Sequence, residues 1–203
     1  MLMLNEDDFE VLSLENFKVQ RKSPFDKLVI DFLNELSRKI LRNKQAKFYP
    51  DLITFGFFCR RSNILKNKER YEDELALRMG YGLTLHISPS NIPINFAFSF
   101  LFGLLSGNSN IVRLPSNKFD QNVLLLEIIN TLMREEKYKS IKESNIFFYS
   151  DRNSKKLKEI LQKADTLIVW GGDETVKEFK KLEKKINCIE LFFPNRVSSL
   201  LIN

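Results

Sequence analysis

The sequence predicts a doubly wound α/β protein with a largely parallel sheet, preceded by N-terminal helices. Three observations carry this. From Gly82 onward, short apolar runs rich in β-branched and aromatic residues alternate with amphipathic stretches, the pattern of strands joined by crossover helices. Turn signals punctuate the alternation, at residues 88–93, 107–109 and 171–172. Ahead of Gly82 the apolar residues instead recur at helical spacing.

The first 20 residues are weakly patterned and read as an extension or short strands. A helix is expected over 23–44, with Ser23 as its cap, Pro24 in its first turn and Asp26 at its positive end. Phe25, Leu28, Val29, Phe32, Leu36 and Ile40 fall on one face of it. A second helix begins at Asp51, with Leu52, Phe55 and Cys59 on its buried side. Then come a strand at 83–87, a buried helix at 95–105 and a strand at 110–114. An amphipathic helix follows over 119–135, through Val123, Leu126, Ile129 and Met133. Further strands are expected at 145–149, 166–170, 188–192 and 198–202, with helices at 154–164 and 174–182 between them. The division is a helical region over 1–80 and an α/β domain over 81–203.

Composition narrows the function. The net charge is +6, but the basic residues are mixed with glutamate along the helices, as in KSIKES and KKLKEILQK. That is a solvated face rather than a nucleic-acid stripe. Two cysteines without CxxC spacing and a single histidine exclude a zinc cluster. The acidic N-terminus is unlike a secretion signal, and the longest oily run, 92–105, is too short to span a bilayer. A cytoplasmic protein is expected.

In a doubly wound sheet, ligands sit at the carboxyl ends of the strands. That singles out residues 88–91, 115–117 and 171–173. Gly171-Gly172 between a strand and a helix lets the backbone approach a phosphate, with free N–H groups at the helix start. Such pairs also end strands for steric reasons, and no GxGxxG is present. His86 reads as a packed, hydrogen-bonded histidine, and Cys59 as core.

Four segments in order, PDLITFGFFCRRSNI (50–64), HISPSNIP (86–93), LSGNSNIVRLPS (105–116) and DTLIVWGGDETV (165–176), carry a resemblance. Together they resemble the LuxC-type acyl-CoA reductases of the aldehyde dehydrogenase superfamily, over about residues 50 to 203. The resemblance implies a Rossmann-like cofactor-binding domain and reduction of a long-chain acyl-CoA or acyl-protein thioester to aldehyde. A cysteine would take the acyl group, and a nicotinamide hydride would release it. It also implies, as a partner, a ligase that transfers the acyl group.

By the same resemblance, Asn91 corresponds to the oxyanion-holding asparagine; read alone, it is first a turn-capping Asn beside Pro93. Ile87, Ser88, Pro89 and Ser90 correspond to the turn that lines the cofactor channel. Arg113 stands where the superfamily has a ribose-contacting lysine, with Ser116 and Asn117 after it. Asn117 replaces a glutamate that disfavours a 2′-phosphate, so NADPH is expected over NADH. Gly171 and Gly172 correspond to the pyrophosphate-facing Gly-Ser. Glu190 lies near the family's general-base glutamate, although Phe192 and Phe193 replace the glycines that follow it.

The family's nucleophile belongs to a later domain, so residues 1–203 are expected to be the cofactor-binding part, with the C-terminal catalytic domain missing. A non-catalytic dinucleotide-binding or interaction module, and a superfamily member with other chemistry such as phosphorylated-acyl reduction, are the alternatives.

Overall fold

The computed structural model describes residues 3–4, 17–71, 77–151 and 153–194. Helix α1 (Lys27–Arg42) buries Val29, Phe32, Leu33, Leu36 and Ile40 on one stripe, as its period requires. Its cap differs from expectation. Asp26, not Ser23, closes the first turn, its Oδ1 accepting from the N–H of Leu28 (2.9 Å) and Val29 (3.3 Å). Phe25 just before it has φ 55°, so the chain turns sharply here and cannot already be helical from Ser23. Asp26→Ala is expected to cost about 1 kcal/mol, read as a lower urea midpoint at unchanged slope.

Helix α2 (Pro50–Phe58) opens on proline, which forfeits no hydrogen bond in a first turn. Helix α3 (Arg61–Glu69) follows, with Ile64 buried. The α/β region then runs β2 (Leu83–Ile87), α4 (Asn95–Leu105), β3 (Ser109–Arg113), α5 (Asp120–Met133), α6 (Lys139–Glu143), β4 (Asn145–Phe148), α7 (Lys155–Lys163), β5 (Thr166–Trp170), α8 (Asp173–Lys181) and β6 (Ile189–Phe193). Strand β1 (Met3–Leu4) adds a short edge. The expected strand at 198–202 lies outside the described residues. On α5 the buried face is wider than expected, and Val123 sits at its margin.

Among the described residues the six strands are all parallel, in the order β1-β4-β3-β2-β5-β6. Successive connections therefore run outward from β2 on one side, to β3 and β4, and then jump to β5 on the other. Helices cover both faces. One apolar cluster joins α1, α2, α4 and α5 over Val112 and Phe147. The other joins Leu157, Ile160 and Leu161 of α7 with Val176 and Phe179 of α8, over Leu85, Ile87, Leu167 and Val169. Strands buried on both faces are what a parallel sheet demands, and β2 and β3 are buried along their whole length.

Candidate functional site

The strand order reverses between β2 and β5, the point at which a doubly wound sheet opens its ligand crevice at the carboxyl end. Segment 87–91 enters it from β2 and segment 171–172 from β5. Ile87 ends β2 opposite Val169. Ser88 is 4% exposed, and its Oγ has no hydrogen-bond partner within the protein. A buried hydroxyl without a partner is costly, and this one can still take a hydrogen bond. Pro89 is buried, Ser90 half-buried and Asn91 exposed.

Of the helices that begin at this end, α4 and α8 follow the two strands at the reversal. α4 starts behind Ile94 with no side-chain cap and no acidic residue in its first turn. α8 starts behind Gly172, also without a side-chain cap. The first N–H groups of both are thus open to an acceptor. Asp173 and Glu174 already occupy the first turn of α8, so an anion there would be held by backbone N–H groups rather than by net charge.

Arg113 ends β3, one strand away, and its carbonyl accepts from the Ser88 N–H (3.3 Å). Its guanidinium is buried, with Nε donating to the Ser150 carbonyl (2.8 Å). Ser116 and Asn117 are exposed in the loop beyond. The residues expected at 87–91, 113–117 and 171–172 thus lie on three adjacent strand ends. Glu190 does not join them. It is the second residue of β6, level with Leu167, and its carboxylate pairs with Lys184 (3.2 Å).

Behind the crevice runs a polar chain that crosses the sheet. Trp170 Nε1 donates to Ser99 Oγ (3.0 Å), and Ser99 Oγ lies 2.8 Å from His86 Nδ1. His86 Nε2 lies 2.9 Å from Asn110 Oδ1. Asn110 Nδ2 donates to the Asn108 carbonyl (3.0 Å) and to Asn145 Oδ1 (2.7 Å). An indole can only donate, and the Asn110 amide nitrogen is spent elsewhere. The pattern closes in one way: Ser99 donates to Nδ1, and a neutral His86 donates from Nε2. Burial lowers the His86 pKa to about 4. His86 is therefore the packed histidine that the sequence led us to expect.

Neither cysteine is poised for chemistry. Burial pushes the Cys59 thiol far above its ordinary range, and it is fully buried. Burial, then the charge of Glu190, raises that of half-buried Cys188. In native protein Cys59 should resist a thiol reagent for as long as the fold persists, and react only at the unfolding rate. Fast labelling of Cys59 would contradict its burial.

Two open depressions, of about 470 and 380 Å³, flank α1 and share Arg38 and Arg42. They are lined mostly by charged and polar helix side chains, and Ser37, the buried polar residue among these, already donates to the Gly56 carbonyl. Among the described residues no His, Cys, Asp or Glu cluster could hold a metal, and no helix is long and apolar enough to cross a membrane.

The sheet order and the crevice define a doubly wound, Rossmann-like α/β protein. The chain belongs to the LuxC acyl-CoA reductase family, whose description matches residues 4–203. It is 27% identical over 121 residues to a long-chain acyl-protein thioester reductase of Aliivibrio fischeri, covering 59% of this chain and 25% of that protein. It is likewise 27% identical over 96 residues to the one of Photorhabdus luminescens, covering 47% of this chain and 20% of that protein. The matched region is thus a quarter or less of these relatives. Among solved structures, an aldehyde dehydrogenase described as putative, from Burkholderia cenocepacia, is similar with a TM-score of 0.47 and 16% identity, over 81% of this chain and 36% of that one.

Proposed function

We propose that these residues form the NADPH-binding part of an enzyme that reduces long-chain acyl-CoA or acyl-protein thioesters to aldehydes. The observation that carries this is the reversal point between β2 and β5. It combines a partnerless buried Ser88 hydroxyl with two uncapped helix N-termini. Such a site suits a pyrophosphate, and Gly171 and Gly172 keep side chains out of the approach to α8. The cofactor supplies the hydride. The residues of this chain bind and orient it: Ser88 and the α4 and α8 amides on the phosphates, Arg113, Ser116 and Asn117 toward the adenosine. Asn91, exposed at the turn, offers an amide to the oxyanion of a thioester carbonyl. The nucleophile is assigned outside these residues, because Cys59 and Cys188 are both held as protonated thiols. An acyl-transferring ligase as partner and a cytoplasmic location belong to the same reading.

Calorimetric titration tests it. NADPH should bind, and more tightly than NADH. Asn117→Glu should remove about tenfold of that preference, or about 1.4 kcal/mol. Absence of NADPH binding would sink the reading. Glu190→Gln should leave NADPH affinity unchanged if its carboxylate serves only Lys184.

A further inference from the structure

The dinucleotide reading leaves one question open: what meets the nicotinamide half. The adenosine-side residues are at the end of β3. A dinucleotide crossing the reversal point from there must continue over the ends of β5 and β6. The residues at those ends are Trp170 and Phe193, which are paired in register.

Trp170 is the single tryptophan of the chain. Its side chain is fixed on two sides. The indole N–H is held by Ser99, which His86 holds in turn. One ring face lies flat on Phe193, with centroids 3.9 Å apart and planes 8° apart. The indole nevertheless remains partly exposed. Ile87, the last residue of β2, is opposite Val169, so Ser88 follows it beside Trp170, the last residue of β5. The partnerless hydroxyl and the locked aromatic thus flank one point of the crevice.

We propose that Trp170 is the wall against which the nicotinamide ring packs, with Ser99 and His86 as positioning residues that fix the indole plane. The inference rests on the dinucleotide reading and deepens it. A fixed indole offers a flat ring an offset-stacked or edge-to-face contact, and preorganisation by Ser99 spares the cost of ordering the indole on binding.

The test compares NADPH with 2′-phospho-ADP-ribose, which lacks only the nicotinamide end, by calorimetry on the full chain. Trp170→Leu should weaken NADPH about tenfold and leave the fragment within twofold. Ser99→Ala should shift the tryptophan emission and weaken NADPH severalfold, again sparing the fragment. Equal losses for both ligands, or none for either, would overturn the proposal. If Trp170→Leu fails to fold, Ser99→Ala decides alone by the same split. Wild-type protein that binds the fragment but not NADPH more tightly would overturn the nicotinamide wall and leave the adenosine site standing. Wild-type protein that binds neither would overturn both readings.

Discussion

Gly103→Ala is expected to destabilise the protein by about 2–4 kcal/mol, although the same change in a solvated helix stabilises by about 1 kcal/mol. The reason is the approach of α4 to the sheet. A Cβ on Gly103 would stand 2.0 Å from Asn110 Oδ1 and 3.0 Å from His86 Cε1. Both contacted groups are buried in the polar chain. They cannot retreat without breaking the His86–Asn110 hydrogen bond, and an orphaned buried polar group costs about 1–3 kcal/mol by itself. The opposing helix propensity makes the sign diagnostic. Urea unfolding of Gly103→Ala with a midpoint at or above wild type would show that α4 does not sit on His86 as described. A companion change, Gly56→Ala, is a milder control. Its Cβ would meet the ends of the Ile40 and Leu41 side chains at 2.9 and 3.1 Å, groups that can rotate.

Most of the strands and helices from Leu83 onward are legible because each is local; the short α6 is not. Residues 83–87 and 166–170 alternate, run apolar and stop at turns, and both strands fall on the expected residues. Helix α3 was not read from sequence, since only Ile64 is buried there and one residue sets no period. The cap of α1 was misplaced because Ser23 and Asp26 are both good caps; only the φ of Phe25 decides between them. The polar chain was illegible for a different reason. Its members are 13, 24 and 71 residues apart, and sequence carries no trace of which strands become neighbours. Trp170 is hidden in the sequence for the same reason. Alternation along β5 would have placed it on the face of Thr166 and Ile168, but not beside Ser99. The carboxyl-end loops were found by rule, since the rule needs only strand ends. Glu190 was chosen by resemblance to a motif whose glycines are absent here, and its strand begins only one residue earlier.

Acid should undo this fold sooner than its carboxylates alone require. His86 is neutral and fully buried, with a pKa lowered to about 4 from an ordinary 6.5. Below pH 6.5 the unfolded chain binds a proton that the folded chain refuses, so stability falls as pH falls, and the fall ends near pH 4 where the folded form also protonates. Across that window the loss is about 3 kcal/mol, at about 1.4 kcal/mol per unit. Burial is why the proton is refused, against the hydrogen bond to Asn110, which favours the charged form. Nδ1 already accepts from Ser99, whose oxygen is engaged by the Trp170 N–H. A proton on Nδ1 would face a hydroxyl hydrogen, with no carboxylate among its bonded partners to offset the charge. The lowered pKa values of Glu35 and Asp165 work in the same direction but at lower pH, as their salt bridges to Lys137 and Lys185 are lost near and below the ordinary carboxylate range. Unfolding free energies between pH 7 and 4.5 separate the two. His86→Gln places an amide N–H where Nε2 donates to Asn110, and cannot titrate. It should be less stable than wild type at pH 7 yet lose little as pH falls from 6.5 to 5. A His86→Gln slope equal to that of wild type would mean that another group binds the proton, and that the Trp170–Ser99–His86 chain has no part in the acid response.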